Sequence, residues 1–327
     1  MNTLGLVGAL VVGAIFGYGA QRGAFCMNSG LRGAVEGDWT KLKALALAVA
    51  VQLLLLPAIF ATRLARPADL PLAPVAAVVG GMLFGLSMRW AGGCAAGVWY
   101  KLGAGDAGAL LPILGMALGA LASDAGPLAG VRLSLQLAVP NVAPWRPPLL
   151  ASVAAGVFLL IALARLAPGR AGAWTWRRTG LWIGAAAALA WPLSAATGRD
   201  FGLAVVPGTT GALSAVAGHP FPAWDVVLVL GVLIGGWLAA RPGRPVTQSA
   251  PSSAALLKRF AGGLGLGIGA SVATGCTVGQ GLTGLALLAP SSFVVMAAIF
   301  GGSTVATLLA RRLQPVPGSM VSSANSH

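Results

Sequence analysis

The sequence is poor in charge: only 9% of its 327 residues are Asp, Glu, Lys or Arg, against roughly a quarter in a soluble domain. With a mean hydropathy of +0.85, such a chain cannot cover a water-facing surface. That excludes an ordinary soluble globule and makes the bilayer its solvent. Acidic residues are the scarcest charges, seven against 21 Lys and Arg, for a formal balance of +14. The balance raises a nucleic-acid reading, but the basic residues lie between hydrophobic runs rather than along one stripe, so no nucleic-acid partner is expected. Two causes of the excess remain: the bias of Lys and Arg toward cytoplasmic loops, and a positive field that attracts anions.

Histidine and cysteine are also scarce. The histidines are His219 and the C-terminal His327, and the cysteines are Cys26, Cys94 and Cys276, with no C-x-x-C. A zinc site and a disulfide framework are unsupported, and no metal or cofactor is expected. No G-x-x-x-x-G-K-[ST] motif occurs, so ATP hydrolysis is not expected. Glu36, Asp38, Asp106 and Asp124 all look loop-proximal, which leaves no intramembrane acidic chain for proton coupling. The N-terminus lacks a basic n-region and a clear cleavage site, and reads as a retained first helix rather than a signal peptide.

Hydrophobic segments are abundant. They lie near 4–20, 42–61, 74–88, 108–122, 148–166, 180–197, 224–240, 260–273 and 285–310, with membrane lipid as their surroundings. They predict an all-α polytopic helical membrane protein of about nine transmembrane helices. The 48 Gly and 21 Pro sit among Leu, Ala and Val. Several segments are short, and some are interrupted by Gly-rich stretches ending in cysteine, the pattern of broken or re-entrant helices. Of the basic clusters, Arg165–Arg170–Arg177–Arg178 and Arg241–Arg244–Lys258–Arg259 are placed in cytoplasmic loops. Arg311–Arg312 falls on either side, depending on whether 260–288 is a re-entrant hairpin. The ten Trp read mostly as interfacial anchors, Trp174 and Trp176 beside Arg177 and Arg178 above all, and His219 as a loop residue.

An internal repeat is visible. At an offset of 182, Gly80, Gly81, Gly85, Ala91, Gly93, Cys94 and Gly97 meet Gly262, Gly263, Gly267, Ala273, Gly275, Cys276 and Gly279. The expected organisation is a first half over 1–167, a linker over 168–179, a second half over 180–312 and a disordered tail over 313–327. Together the halves would make one membrane domain with its site at the repeat interface. An odd number of spans per half would make the repeats inverted. Phe201–Gly202 falls where the first half has Phe25–Cys26, so one cysteine is lost from the symmetry.

A single free cysteine is most simply a small buried hydrophobe. Taken together, these three say more, because all sit in Gly-rich or polar breaks and two hold equivalent places in the repeat. Glycines at −1 and +3, which are Gly93 and Gly97 for Cys94 and Gly275 and Gly279 for Cys276, let backbone approach a ligand closely. Turns that open a helix present free N–H groups and a dipole that favours an anion. The thiol is a weak, polarisable donor suited to a soft sulfur anion, and several weak sites in series let a solute in without trapping it. Arg22, Asn28 and Thr277 are the polar neighbours drawn into this candidate site. Arg22 and Arg32 mark a mouth, and Arg89 and Lys101 either line a vestibule or snorkel to the interface.

At these loops the sequence resembles the YeeE/YedE family of bacterial inner-membrane proteins. The resemblance is carried by RGAFCMNSGLRG (22–33), GGCAAGVWYKLGAG (92–105) and TGCTVGQGLTGLALLAP (274–290), and extends over nearly the whole chain. It implies an hourglass of helices with cysteine loops buried at a central constriction, and uptake of thiosulfate handed between the thiols of Cys26, Cys94 and Cys276 by hydrogen bonding. It also implies a small TusA-like sulfur-carrier protein as a cytoplasmic partner; no such domain is expected to be fused to this chain, since the tail after Arg312 is short. Val131–Pro148 matches no motif of that family. Oligomeric state stays open, a homodimer included. Transport rather than catalysis is the expectation. Against it stand a membrane sulfurtransferase forming a persulfide on Cys94 or Cys276, which lacks a His or carboxylate base in either loop, a carrier of another sulfur or selenium solute, and a structural subunit with packing cysteines.

Overall fold

Lipid offers no partner to a backbone N–H or C=O, so the apolar runs form helices that satisfy their own. The computed structural model describes residues 3–145, 147–167, 169–240 and 252–313. Its first part holds α1 (Thr3–Arg22), α2 (Met27–Val35), α3 (Thr40–Ala61), α4 (Pro74–Ala91), α5 (Ala95–Gly103) and α6 (Leu110–Asp124). Two further helices follow, α7 (Ala129–Leu137) and α8 (Leu149–Ala164), then a small hairpin pairing Arg170–Ala171 with Trp174–Thr175. The second part holds α9 (Trp176–Ala195), α10 (Val206–Val216), α11 (Ala223–Ala239), α12 (Ser253–Val272), a π-helical turn (Gly279–Gly284) and α13 (Pro290–Leu313). Thus α9 starts within the stretch expected to be linker, because Thr175 caps it by accepting from the Arg178 N–H. Most of the expected tail, 314–327, lies outside the described residues.

This is an all-α membrane protein. Five segments are long and apolar enough to cross a bilayer: Thr3–Val35, Thr40–Ala61, Pro74–Gly103, Ala107–Asp124 and Pro290–Leu313. The first and third, at 33 and 30 residues, are over-long because each contains a break, at 23–26 and 92–94. Leu149–Ala164 and Ala223–Ala239 are shorter apolar helices.

Helix pairing follows the glycines, since membrane helices associate by close van der Waals packing rather than by a hydrophobic drive. Gly13 meets Leu228 and Gly17 meets Val232, so α1 and α11 run parallel. Gly180 against Ala44 and Gly184 against Ala48 make α3 and α9 parallel. Gly81 against Val295 and Gly85 against Ile299 do the same for α4 and α13, as do Gly115 against Phe260 and Gly119 against Leu264 for α6 and α12. Each parallel pair joins a helix before the hairpin to one after it. At the centre α4 and α12 cross antiparallel, Gly80 lying on Ala273 and Gly262 on Ala91.

These directions sort the helix ends onto two faces. On one face the hairpin Ala173 N–H donates to Arg22 O (2.9 Å), Arg177 donates to the carbonyls of Ala164 and Leu166, and Arg259 pairs with Asp106 (3.0 Å). Arg311 pairs there with Glu36 (3.3 Å). The third basic cluster therefore shares the face of Arg165–Arg178 and Lys258–Arg259; Arg241 and Arg244 lie outside the described residues. Asp38, at the start of α3, is held below its ordinary carboxylate value by hydrogen bonds from the Thr40 hydroxyl and N–H. On the opposite face lie the start of α1, the end of α9 and the turn bearing His219, which is a loop residue.

The tryptophan expectation needs correction. Trp174 and Trp176 are buried, at 4% and 1% exposure, with Arg178 over the Trp174 ring (4.4 Å) and Arg177 over that of Trp176 (5.3 Å). They lock the hairpin to the bundle instead of facing lipid. Trp99, Trp191 and Trp224 are buried too, whereas Trp39, Trp90, Trp145, Trp182 and Trp237 are exposed on the protein surface.

Candidate functional site

Three helices are interrupted in the same way. The residue two before each cysteine has a left-handed backbone: Ala24 (φ 46°), Gly92 (φ 76°) and Thr274 (φ 56°). That conformation ends the incoming helix and bends the chain. Each cysteine carbonyl then accepts from the N–H four residues on, that of Gly30, Val98 or Gln280, at 2.8–3.1 Å, and starts a new helical turn. Cys26 is the N-cap of α2 and Cys94 of α5, while Val205 caps α10. Four short segments thus point their N-termini into the interior. α2 and α5 return to the basic face; α10 and the π-helical turn return to the other.

The first turn of such segments carries N–H groups with no intrahelical partner. The N–H groups of Met27 and Gly97 face the Cys94 sulfur, and those of Val278, Gly279, Val205 and Val206 face the Cys276 sulfur. Positive helix ends and free N–H groups converge on the thiols from both faces, an arrangement that favours an anion without a bound cation.

Cys26 and Cys94 lie together, Sγ to Sγ at 3.9 Å, both buried. Gly97 packs against them: a Cβ there would stand 2.8 Å from Cys26 Sγ and 3.3 Å from Cys94 Sγ. The Tyr100 hydroxyl is beside Cys26. Cys276 belongs to the opposite side. It lines a cavity of about 260 Å³ with Arg199, Phe201, Asp225, Thr274, Gly275 and Gly279. A wider hollow of about 490 Å³ shares Arg199 and Asp225 and opens toward Thr197 and Trp224. Arg199 donates from Nε and Nη2 to Asp225 (3.0 and 2.8 Å) and from Nη1 to the carbonyls of Phe201 and Gly202, both at 2.7 Å.

Side-chain bonds brace the loops. Gln280 donates from Nε2 to Thr274 O (3.0 Å) and accepts from Ser292 Oγ at Oε1 (2.6 Å). Gln52 donates to Leu282 O (3.1 Å), Thr283 to Leu203 O (2.9 Å), and Trp99 to Thr209 (2.9 Å), tying α5 to α10. In low dielectric such bonds strengthen and fix the loop geometry.

The structure brings Cys26, Cys94 and Gly97 into contact and sets Cys276, Gly275 and Gly279 around one cavity. Gly93 is buried against Val98. Thr277 is buried at 1% exposure, and its hydroxyl has no hydrogen-bond partner among the described residues. Asn28 is half-buried in the first turn of α2, and Arg22 lies with its guanidinium over Tyr18 (5.9 Å). Arg89 lines a hollow of about 670 Å³ on the basic face with Trp90, Lys258 and Arg259, whereas Lys101 is turned back to donate to Gly92 O (2.6 Å). Sequence reasoning missed Tyr100, Arg199 and Asp225. Asp225 at the start of a hydrophobic run was the available signal, since an ionisable residue there is a functional candidate by default.

Comparison with known proteins completes the description. A family model described as "Sulphur transport" matches residues 22–305. The protein named thiosulfate transporter TsuA of Escherichia coli (strain K12) is 32% identical over 317 residues, covering 86% of this chain and 88% of that one. The protein of the same name from Spirochaeta thermophila is 31% identical over 341 residues, covering 93% and 98%.

Proposed function

The chain belongs to the sulphur transport family, and on that footing we propose that it takes up thiosulfate, or a closely related small sulfur-containing anion, past the thiols of Cys26, Cys94 and Cys276. The observation that carries this reading is the meeting of cysteine-bearing helix starts from both faces, with a cavity reaching Cys276 from one side. Both relatives are named for thiosulfate transport.

The path runs from the hollow beside Arg199 to Cys276, then to the Cys94–Cys26 pair, and out at the basic face. Each thiol is a weak donor. Together with the N–H groups at Gly97 and Gly279 it replaces part of the anion's hydration, and releases it because no full counter-charge grips it. Gly93 and Gly275 keep the backbone close, and Thr277, Asn28 and Arg22 supply further polar contacts along the path. Passage is facilitated and driven by consumption of the anion inside, with no covalent turnover.

On this reading the chain is a multi-pass protein of a bacterial inner membrane with nine spans, α1, α3, α4, α6, α8, α9, α11, α12 and α13, and its basic face is cytoplasmic, in keeping with the bias of Lys and Arg in short loops. A TusA-like sulfur carrier would receive the anion at that face. The two halves are inverted repeats. What supports this is the order long, short, long, long, short, long, which runs through α1–α6 and again from α9 to α13. Counterparts run in opposite directions, and α1 pairs with α11 as α9 pairs with α3. On this pairing the counterpart of Cys26 is Val205, not the Gly202 of the sequence alignment.

The test is thiosulfate uptake in cells lacking their own carriers, at matched membrane levels. Uptake by the wild type and its loss in Cys94→Ala and Cys276→Ala support the path. Equal uptake by every alanine variant would overturn the thiol path, and no uptake by correctly inserted wild type would overturn thiosulfate as the solute.

A further inference from the structure

The halves differ where their chemistry is concentrated. Beside Cys94 stands Cys26, with its sulfur 3.9 Å away; beside Cys276 stand the backbone N–H groups of Val205 and Val206. One side of the constriction therefore holds a pair of thiols and the other a single one. We propose that Cys26 and Cys94 form a dithiol that a small hydroperoxide converts to a disulfide, closing the path on the side of the basic face. The closure rests on the thiol path proposed above; the oxidation does not.

The geometry is close to what a disulfide requires. The sulfurs must approach from 3.9 Å to about 2.05 Å, the length of a disulfide bond. Gly97 clears the space between them, since it brings no Cβ against either sulfur. Both thiols are buried, which favours a small oxidant over a bulky disulfide. Both cysteines cap helices whose N-termini converge on the pair, so both sulfurs lie at positive helix ends.

The reaction balances in two steps. One sulfur attacks the peroxide O–O bond; an S–O bond forms, the O–O bond breaks, and the departing hydroxide leaves as water with the thiol proton, giving a sulfenic acid. The second thiol attacks that sulfur; the S–S bond forms, the S–O bond breaks, and a second water leaves. Two thiols lose two electrons in all, and the peroxide gains them. Cys276 has no thiol in the position of Cys26, so it has no partner with which to form such a link.

The experiment treats the purified full-length protein in vesicles with hydrogen peroxide, then reads mass, alkylation and thiosulfate uptake. The expected product has lost the mass of two hydrogens, yields one linked fragment containing Cys26 and Cys94, and leaves Cys276 open to alkylation. Uptake falls by about tenfold or more, since consecutive sites are removed from the series, and returns with dithiothreitol. Cys276→Ser still forms the link. Cys94→Ser does not, and its Cys26 is trapped by dimedone as a sulfenic acid. The proposal is overturned if Cys26 and Cys94 stay separately alkylatable after peroxide, or if linkage joins two copies of the chain. A link formed without any change in uptake overturns the closure. Protein that carries no thiosulfate even before treatment would overturn the transport reading instead, and the mass measurement would still decide the dithiol.

Discussion

Arg199 holds Asp225 in two parallel hydrogen bonds, Nη2 to Oδ1 at 2.8 Å and Nε to Oδ2 at 3.0 Å, at the rim of the cavity that reaches Cys276. The side chains are 19% and 4% exposed, so the pair is largely withdrawn from water. Removing one partner of such a pair strands the other charge. Asp225→Ala is expected to destabilise the protein by about 3 kcal/mol, read as a lowered melting temperature in detergent. The double variant Arg199→Met with Asp225→Leu should recover most of that stability while removing the guanidinium from the rim. Its uptake should show a raised KM with little change in maximal rate. A double variant as unstable as the single one would mean that the pair holds the fold and not the rim.

Gly97 tests the contact between the two thiols of the basic side. In Gly97→Ala the new methyl would press on Cys26 Sγ at 2.8 Å, closer than real contacts allow. The sulfur must move, so uptake should fall by about tenfold or more, while membrane levels and melting stay near wild type. Unchanged uptake would show that the anion does not pass between Gly97 and Cys26.

Thr274 carries its left-handed backbone at a cost, because a β-branched side chain fits that region poorly. Thr274→Gly should raise stability by about 1 kcal/mol, measured by thermal unfolding in detergent. A loss of stability would mean that the threonine side chain makes a contribution larger than its strain.

Topology gives an independent check. In a background with all three cysteines changed to alanine, His219→Cys should react with an impermeant maleimide applied to intact spheroplasts. Glu36→Cys, beside Arg311 on the basic face, should react only after the membrane is opened. The reverse pattern would place the basic face outside and refute the direction of the path.

Much of this molecule was legible in the order of its residues. Charge scarcity and long apolar runs gave the helical membrane class. The Gly-Cys-x-x-Gly stretches located two of the helix breaks, because glycine at −1 and +3 leaves a visible mark. The break at Cys26 was legible as well, in the polar QRGAFCMNSG stretch that follows α1. What stayed hidden depends on partners far away in sequence. Arg199 finds Asp225 across a turn and a helix, Tyr100 reaches Cys26 across two spans, and neither meeting leaves a local pattern. Trp174 and Trp176 looked like lipid anchors because their sequence neighbours are arginines. Their burial follows from the hairpin, which only the folded chain defines. The placement of Arg311–Arg312 was likewise undecided until its contact with Glu36 fixed the end of α13.

The parallel pairs α1 with α11, α3 with α9, α4 with α13 and α6 with α12 carry a consequence for biosynthesis. Every one matches a helix made early with a helix made late, so the first four long helices leave the ribosome before their packing partners exist. Sequence separations of this size slow assembly and leave unfinished surfaces in the lipid. The nascent N-terminal half is thus an incomplete object awaiting insertion of its complement. Chains severed between α8 and α9 should be degraded when made singly, and should accumulate as a functional assembly when both pieces are produced in the same cell.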